Sequence, residues 1–241
     1  MKLTTIRADK LLSSLGLASR RGVVNFIKYN NISADGIRII EHGTRVGVRA
    51  RITINGKELK KPKKIYVIIN KPKGIISTLK DEKGRKTVVS LIKLPERLYP
   101  VGRLDQNTHG LLLLTNDGDL TNKLIHPKYH IGKTYQLTIK GQVFPPQIEK
   151  LENGILLEDG MTGKSSCSII QRRKDATIME LTIYEGKKRQ IRRMCEALKL
   201  PLIDLQRIKF GNLTLGELKL GEYRELTGRE VENLKKLVQN K

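Results

Sequence analysis

Aromatic residues are scarce in this chain. It has no Trp and only 3 Phe, so stacking on a planar ligand falls mainly to the 7 Tyr. Cysteine is scarce too. Cys167 and Cys195 have neither metal-ligand spacing nor the number for a disulfide framework, which points to reduced thiols in a cytoplasmic protein. No run of about 18 apolar residues is present. The start MKLTTIRADK lacks the apolar stretch of a secretion signal, so the expectation is a soluble intracellular chain. Acidic residues are outnumbered: 24 Asp and Glu face 47 Lys and Arg, a formal net charge of +23. Such an excess repels itself in a compact fold, and a polyanionic partner is its natural explanation. Nucleic acid is the first candidate. A membrane surface is the weaker one, because the cations are spread along the whole chain and not gathered on one amphipathic helix. The apolar fraction of 38% is enough for a core in 241 residues.

The residues that are present organise into two parts. Ala8, Leu11, Leu12 and Leu15 fall on one helical stripe that Gly16 can close. Ser19 suits the N-cap of a second helix with Val23, Val24 and Ile27 facing inward. Arg20 and Arg21 then lie in its first turn, where the helix dipole disfavours cations but where a phosphate would be gripped. Short strand-like pieces follow at Ile32–Ser33, Ile37–Ile40 and Arg51–Asn55, with hairpin-type turns at Asp35-Gly36 and Asn55-Gly56. Two helices, a small sheet and arginines at the second helix resemble the S4 RNA-binding domain over about residues 5–60. GKELKKPKK, Gly56 to Lys64, reads as a polar linker, which places a boundary near residue 61.

Beyond it, Ile65–Asn70 and Leu111–Thr115 are wholly apolar strands, and Asn116-Asp117-Gly118 is ordinary turn chemistry. Asp119–Ile125 reads as a helix stopped by His126-Pro127. Lys133–Lys140 alternates, with Tyr135, Leu137 and Ile139 on one face. Thr177–Tyr184 is a further strand, and Lys187–Leu198 a helix with Ile191, Met194, Cys195 and Leu198 inward. Thr227 and Glu230 form a capping box for a last helix carrying Val231, Leu234 and Leu237. Strands outnumber helices without regular alternation. The expected class is therefore α+β: an N-terminal S4-like part over 1–60, and a larger part over 61–241 with a mainly antiparallel mixed sheet flanked by helices.

Two stretches stand out chemically. In EGKKRQIRRM, Lys187, Lys188, Arg189, Arg192 and Arg193 crowd the expected start of a helix. Like charges four apart and cations in a first turn are both unfavourable, which suggests a polyanionic ligand or a carboxylate partner; a solvated basic face is the plainer alternative. In GRLDQNTHGLLLLTNDG, a lone acid, Asp105, stands before an apolar strand, either as a turn residue or as a reactive group.

GRLDQNTHGLLLLTNDG, preceded by NKPKG and followed by KTYQLTI and EGKKRQIRRM, closely resembles the S4-domain-containing pseudouridine synthases that modify bacterial ribosomal RNA. With the S4-like start the resemblance covers nearly the whole chain. It implies isomerisation of uridine: the base is detached from C1′, turned and rejoined through C5. The family's aspartate falls on Asp105, acting as nucleophile at C1′ or as a base that removes a 2′ proton. Its arginine falls on Arg192, expected to pair with Asp105 and hold it ionised. Its tyrosine falls on Tyr135, expected to stack on the flipped base, although a core tyrosine is the alternative. Ile191 would pack under the base or simply in the core. Arg20, Arg21, Arg103, Lys187, Lys188, Arg189 and Arg193 are the candidate RNA contacts. Gln106, Asn107 and His109 receive no role.

The implied reaction is redox-neutral and internal, so neither a cofactor nor a metal is expected. The expected partner is ribosomal RNA or a pre-ribosomal particle, 23S rather than 16S, bound by a monomer in the cytoplasm. A non-catalytic RNA-binding assembly factor is the rival. A DNA-binding reading is weak, because nothing looks like a recognition helix beside a dimer seam.

Overall fold

The computed structural model of the protein describes residues 4–60, 62–79 and 81–239. They form two compact units that divide after Ile65, the first also taking in residues 95–97 and 116–118.

In the first unit β1 (Thr5–Arg7) runs into α1 (Ala8–Ser14), followed by α2 (Val23–Tyr29), β2 (Ile32–Ala34), β3 (Ile37–Arg38), β4 (Arg45–Gly47), β5 (Ile52–Ile54) and β6 (Lys57–Glu58). Ala8, Leu11 and Leu12 are buried as their spacing requires, and they pack with Val23, Ile27, Ile32 and Ile52. A four-stranded antiparallel sheet has the order β3-β2-β5-β6, and β1 pairs with β4. Asp35-Gly36 and Asn55-Gly56 both have positive φ at each residue, the conformation that two-residue hairpins need.

Three expectations are corrected here. The second helix starts at Val23, because Ser19 closes a separate turn: its Oγ accepts the Gly22 N–H at 3.0 Å and its carbonyl the Val23 N–H at 2.9 Å. Arg20 and Arg21 lie in that turn, outside the helix. Val24 is 48% exposed, since burying Val23 and Ile27 one turn apart fixes the inward stripe and carries Val24 off it. Lys57–Glu58, assigned to the linker, is folded back by the Asn55-Gly56 turn and pairs with β5.

The second unit contains β7 (Tyr66–Lys71), β8 (Tyr99–Pro100), β9 (His109–Thr115), α3 (Gly118–Ile125), β10 (Lys133–Lys140), α4 (Pro145–Asn153), β11 (Leu156–Leu157) and β12 (Gly160–Met161). It continues with β13 (Ser166–Arg172), β14 (Ala176–Ile183), α5 (Gln190–Ala197), β15 (Leu202–Phe210), β16 (Leu213–Thr214), β17 (Tyr223–Glu225) and α6 (Gly228–Lys236). Nine strands make one mixed sheet with the main path β13-β14-β10-β15-β9-β7-β17; β8 lies beside β9 and β16 beside β15. Among the described strand pairs of this sheet only β15–β9 is parallel, and it joins the two halves of the sheet. Every residue of β7 is buried, as its central, two-sided position demands. Tyr66, Ile68, Leu111 and Leu113 pack with Leu120 and Leu124 of α3 and Leu234 of α6. Among the described residues no helix is long and apolar enough to cross a membrane.

Helix α5 begins at Gln190, later than the apolar pattern suggests. Arg189 takes a left-handed conformation, φ 51°, and the Gln190 side chain accepts the Lys187 N–H at 3.0 Å, so the chain turns before the helix can start.

Candidate active site

A cavity of about 410 Å³ opens on the sheet of the second unit, within the usual range for small-ligand sites. Its lining includes Asp105, Tyr135, Lys133, Ile191, Arg192 and Arg207.

Asp105 is half-buried on the loop that enters β9, and that loop is clamped on both sides of it. On one side the Ser77 hydroxyl donates to the Leu104 carbonyl at 2.9 Å and accepts the Leu104 N–H at 3.1 Å. On the other, the Gly74 N–H reaches the Gln106 carbonyl at 2.9 Å, and the Gln106 side-chain amide returns a bond to the Gly74 carbonyl at 3.2 Å. The Thr108 N–H closes the turn onto the Asp105 carbonyl at 3.0 Å. A carboxylate that must meet one atom of a substrate gains from a backbone fixed in this way.

Arg192 is brought to the same loop, but by a contact other than the expected one. Its Nη2 donates to the Asn107 carbonyl at 2.8 Å and to the Thr108 hydroxyl at 3.3 Å, not to the Asp105 carboxylate. The cation facing Asp105 electrostatically is Lys71, which the sequence reading did not single out. Its side chain is fully buried, and its Nζ donates to the carbonyls of Pro72, Ile75 and Gln106 at 2.9, 2.7 and 3.4 Å. Three donors meet three acceptors, so NKPKG is tied to the residue after Asp105. Burial pulls the Lys71 pKa down to about 8; the Asp105 carboxylate opposes that pull and the Arg207 charge adds to it. Lys133 is also drawn down to about 8, by burial and then by Arg207.

Tyr135 is 8% exposed on β10, beside Arg207 of β15 in register, with a bulge between Thr134 and Tyr135. Ile191 lines the cavity and is buried. Arg103, Lys188 and Arg189 also line it and are exposed.

Two cations expected to face RNA are committed elsewhere. Lys187 Nζ donates to the carbonyls of Asp159, Gly160 and Met161 at 3.2, 2.9 and 2.9 Å. Arg193 makes a bidentate pair with Asp159 at 2.8 and 3.0 Å. Together they pin the β11–β12 hairpin, and their charges are largely answered within the protein. In the first unit, Arg20 and Arg21 are both exposed, and the Arg20 Nη2 also meets the buried Asp9 at 3.1 Å.

The model of the RNA pseudouridylate synthase family matches residues 65–197. The chain is 42% identical to a ribosomal large subunit pseudouridine synthase B of Bacillus subtilis, over 96% of both chains. It is 38% identical to an uncharacterized RNA pseudouridine synthase of Aquifex aeolicus, over 97% of this chain and 95% of that one. A crystal structure of a pseudouridylate synthase superposes with a TM-score of 0.69 at 29% identity, covering 95% of this chain and 99% of the other.

Proposed function

The chain belongs to the RNA pseudouridylate synthase family and is an isomerase that converts uridine in RNA to pseudouridine, and from that premise we propose that it acts on ribosomal RNA, specifically the 23S RNA of the large subunit. The observation that carries the choice is the 42% identity, along 96% of both chains, with a relative named for the large subunit.

In this reading Asp105 meets the ribose of a uridine flipped out of its stack, either attacking C1′ or taking the 2′ proton. The clamps at Leu104 and Gln106 hold its carboxylate in place for either route. Tyr135 offers its ring to the base, and Ile191 packs beneath it. Arg192 works through the loop backbone and not by pairing with the carboxylate, which makes it a positioning residue. Arg103, Lys188 and Arg189 at the cavity hold neighbouring phosphates. Residues 1–60 are an S4-like module whose Arg21 grips flanking RNA, and residues 61–241 are the catalytic part. A monomer in the cytoplasm, acting on RNA or on a pre-ribosomal particle, suffices for this chemistry.

The test is to map pseudouridines in 23S and 16S RNA from cells lacking the gene, by carbodiimide labelling and primer extension. One 23S site should vanish and return with the wild-type gene but not with Asp105→Asn. A missing 16S site would overturn the choice of subunit, and no missing site in either RNA would overturn ribosomal RNA as the substrate.

A further inference from the structure

Arg207 is 2% exposed, yet among the described residues no carboxylate pairs with it. Its Nε donates to the Leu111 carbonyl at 2.7 Å and its guanidinium lies over the Phe210 ring at 5.3 Å, while Nη2 has no hydrogen-bond partner. A buried, unanswered cation is costly, and it has like-charged neighbours in Lys71 and Lys133. Gly110, φ +106°, is its register partner on β9, and any Cβ at that position would collide with the Arg207 backbone. Arg207 lines the cavity that holds Asp105 and sits in register beside Tyr135. Asp105 and Glu185 supply the negative charge of a cavity whose lining also includes Arg103, Lys133, Lys188, Arg192 and Arg207. The resting site therefore carries surplus positive charge.

The reaction generates the missing anion. When the C1′–N1 bond breaks, its electron pair stays on N1 and the base becomes the uracil monoanion. C1′ meanwhile bonds an Asp105 oxygen, or becomes doubly bonded to C2′ as Asp105 takes the 2′ proton. Rejoining through C5 consumes the anion: C5 bonds C1′, the Asp105 oxygen or the 2′ proton goes back, the C5 proton leaves and N1 gains one. We propose that Arg207 is a catalytic residue that binds the detached uracil anion, donating from its free guanidinium nitrogens to the base carbonyls. This rests on the reading of Asp105 and the cavity as the isomerisation site. A donor fixed before the charge develops stabilises the transition state more than the neutral substrate. A phosphate contact would use the same donors, but phosphates run along the RNA backbone at the surface, whereas Arg207 is buried beside the tyrosine assigned to the base.

The test compares wild type, Arg207→Met and Arg207→Lys in single-turnover reactions on 23S RNA carrying either uridine or 5-fluorouridine. Each reaction is followed by loss of the starting N1-linked nucleoside, because fluorine at C5 leaves no proton for the final rejoining step. Fluorine withdraws electrons and makes the departing base anion more stable in its own right. The expected result for Arg207→Met is a loss on the order of 100-fold in the uridine rate, the size seen for removing one oxyanion donor. The loss should be clearly smaller with 5-fluorouridine, RNA affinity should be unchanged, and Arg207→Lys should recover part of the rate. Thermal unfolding of Arg207→Met should not fall, since replacing a lone buried charge by an apolar chain is often neutral or stabilising. Equal losses on the two substrates, or a loss that follows a lowered melting temperature, would overturn the proposal in favour of a structural or phosphate-binding arginine. A wild type inactive on ribosomal RNA would overturn the functional reading. An active wild type matched by an equally active Arg207→Met would overturn this proposal alone.

Discussion

Lys71 shows how one side chain serves both the fold and the site. Its ammonium is wholly buried, and the three carbonyls it binds belong to Pro72 of NKPKG, to Ile75 just after it and to Gln106, the residue after Asp105. With a pKa of about 8, it is charged at neutral pH and loses its proton just above. We expect kcat/KM to fall above about pH 8 as the attraction for Asp105 weakens, kcat/KM being the quantity that reports free-enzyme groups. Lys133 titrates in the same range, so variants must separate the two. The high-pH limb should persist in Lys133→Arg and vanish, with low activity throughout, in Lys71→Met. Unfolding does not produce the same limb. Between pH 8 and the ordinary value of 10.5 the unfolded chain holds the Lys71 proton and the folded one does not, so this site makes the fold more stable as pH rises. Circular dichroism across that range should show an intact fold. At this scale Asp105 was readable in the letters because a lone acid before an apolar strand is unusual in so basic a chain. Lys71 and Arg207 were not, since nothing in a list of 47 Lys and Arg marks which ones are buried.

Among the elements, α6 is the clearest case of local sequence deciding local structure. Thr227 Oγ1 accepts the Glu230 N–H at 3.2 Å and Glu230 Oε2 accepts the Thr227 N–H at 2.8 Å, the reciprocal bonds read from the T-x-x-E spacing. What the spacing does not show is Arg224, which binds the same carboxylate at 2.9 and 2.7 Å. That pair, with the capping bonds behind it, pulls the Glu230 pKa from 4.5 down to about 2. Stability from this charge is therefore complete above about pH 4.5 and is lost as pH falls toward 2. Thr227→Ala should cost about 1 kcal/mol at neutral pH. In urea unfolding the gap between wild type and Glu230→Gln should narrow from pH 4.5 to pH 2; a gap constant over that range would mean that the ion pair adds nothing. Helix α5 is the opposite case. Its apolar stripe was legible, but its start was not, because the left-handed turn falls on Arg189, where no glycine or asparagine announces it. Lys187 looks like a helix residue in the sequence and is in fact a hairpin anchor, a role fixed by the carbonyls of Asp159, Gly160 and Met161, far away in the chain.

For the whole molecule the dominant quantity is the net charge of +23, and the structure divides it into cations that are free and cations already answered. Composition alone identified a polyanion binder but treated Arg20, Arg21, Lys187, Lys188 and Arg193 alike. Asp9 takes up Arg20, and Asp159 with the hairpin carbonyls takes up Arg193 and Lys187, whereas Arg21 and Lys188 remain exposed. Counterion release makes log affinity for RNA fall linearly with log salt, by roughly 0.7–0.9 in slope for each phosphate neutralised. Arg21→Gln and Lys188→Gln should each make that slope shallower by about one contact's worth while leaving the melting temperature in place. Lys187→Gln and Arg193→Gln should leave the slope nearly unchanged and lower the melting temperature, because each removes one partner from a satisfied set and strands carbonyls or a carboxylate. Filter binding to 23S RNA at stepped salt, with thermal unfolding of the same four proteins, checks both halves. A shallower slope for Arg193→Gln with an unchanged melting temperature would show that its pair with Asp159 gives way when RNA arrives, and that the cluster then acts as one basic face.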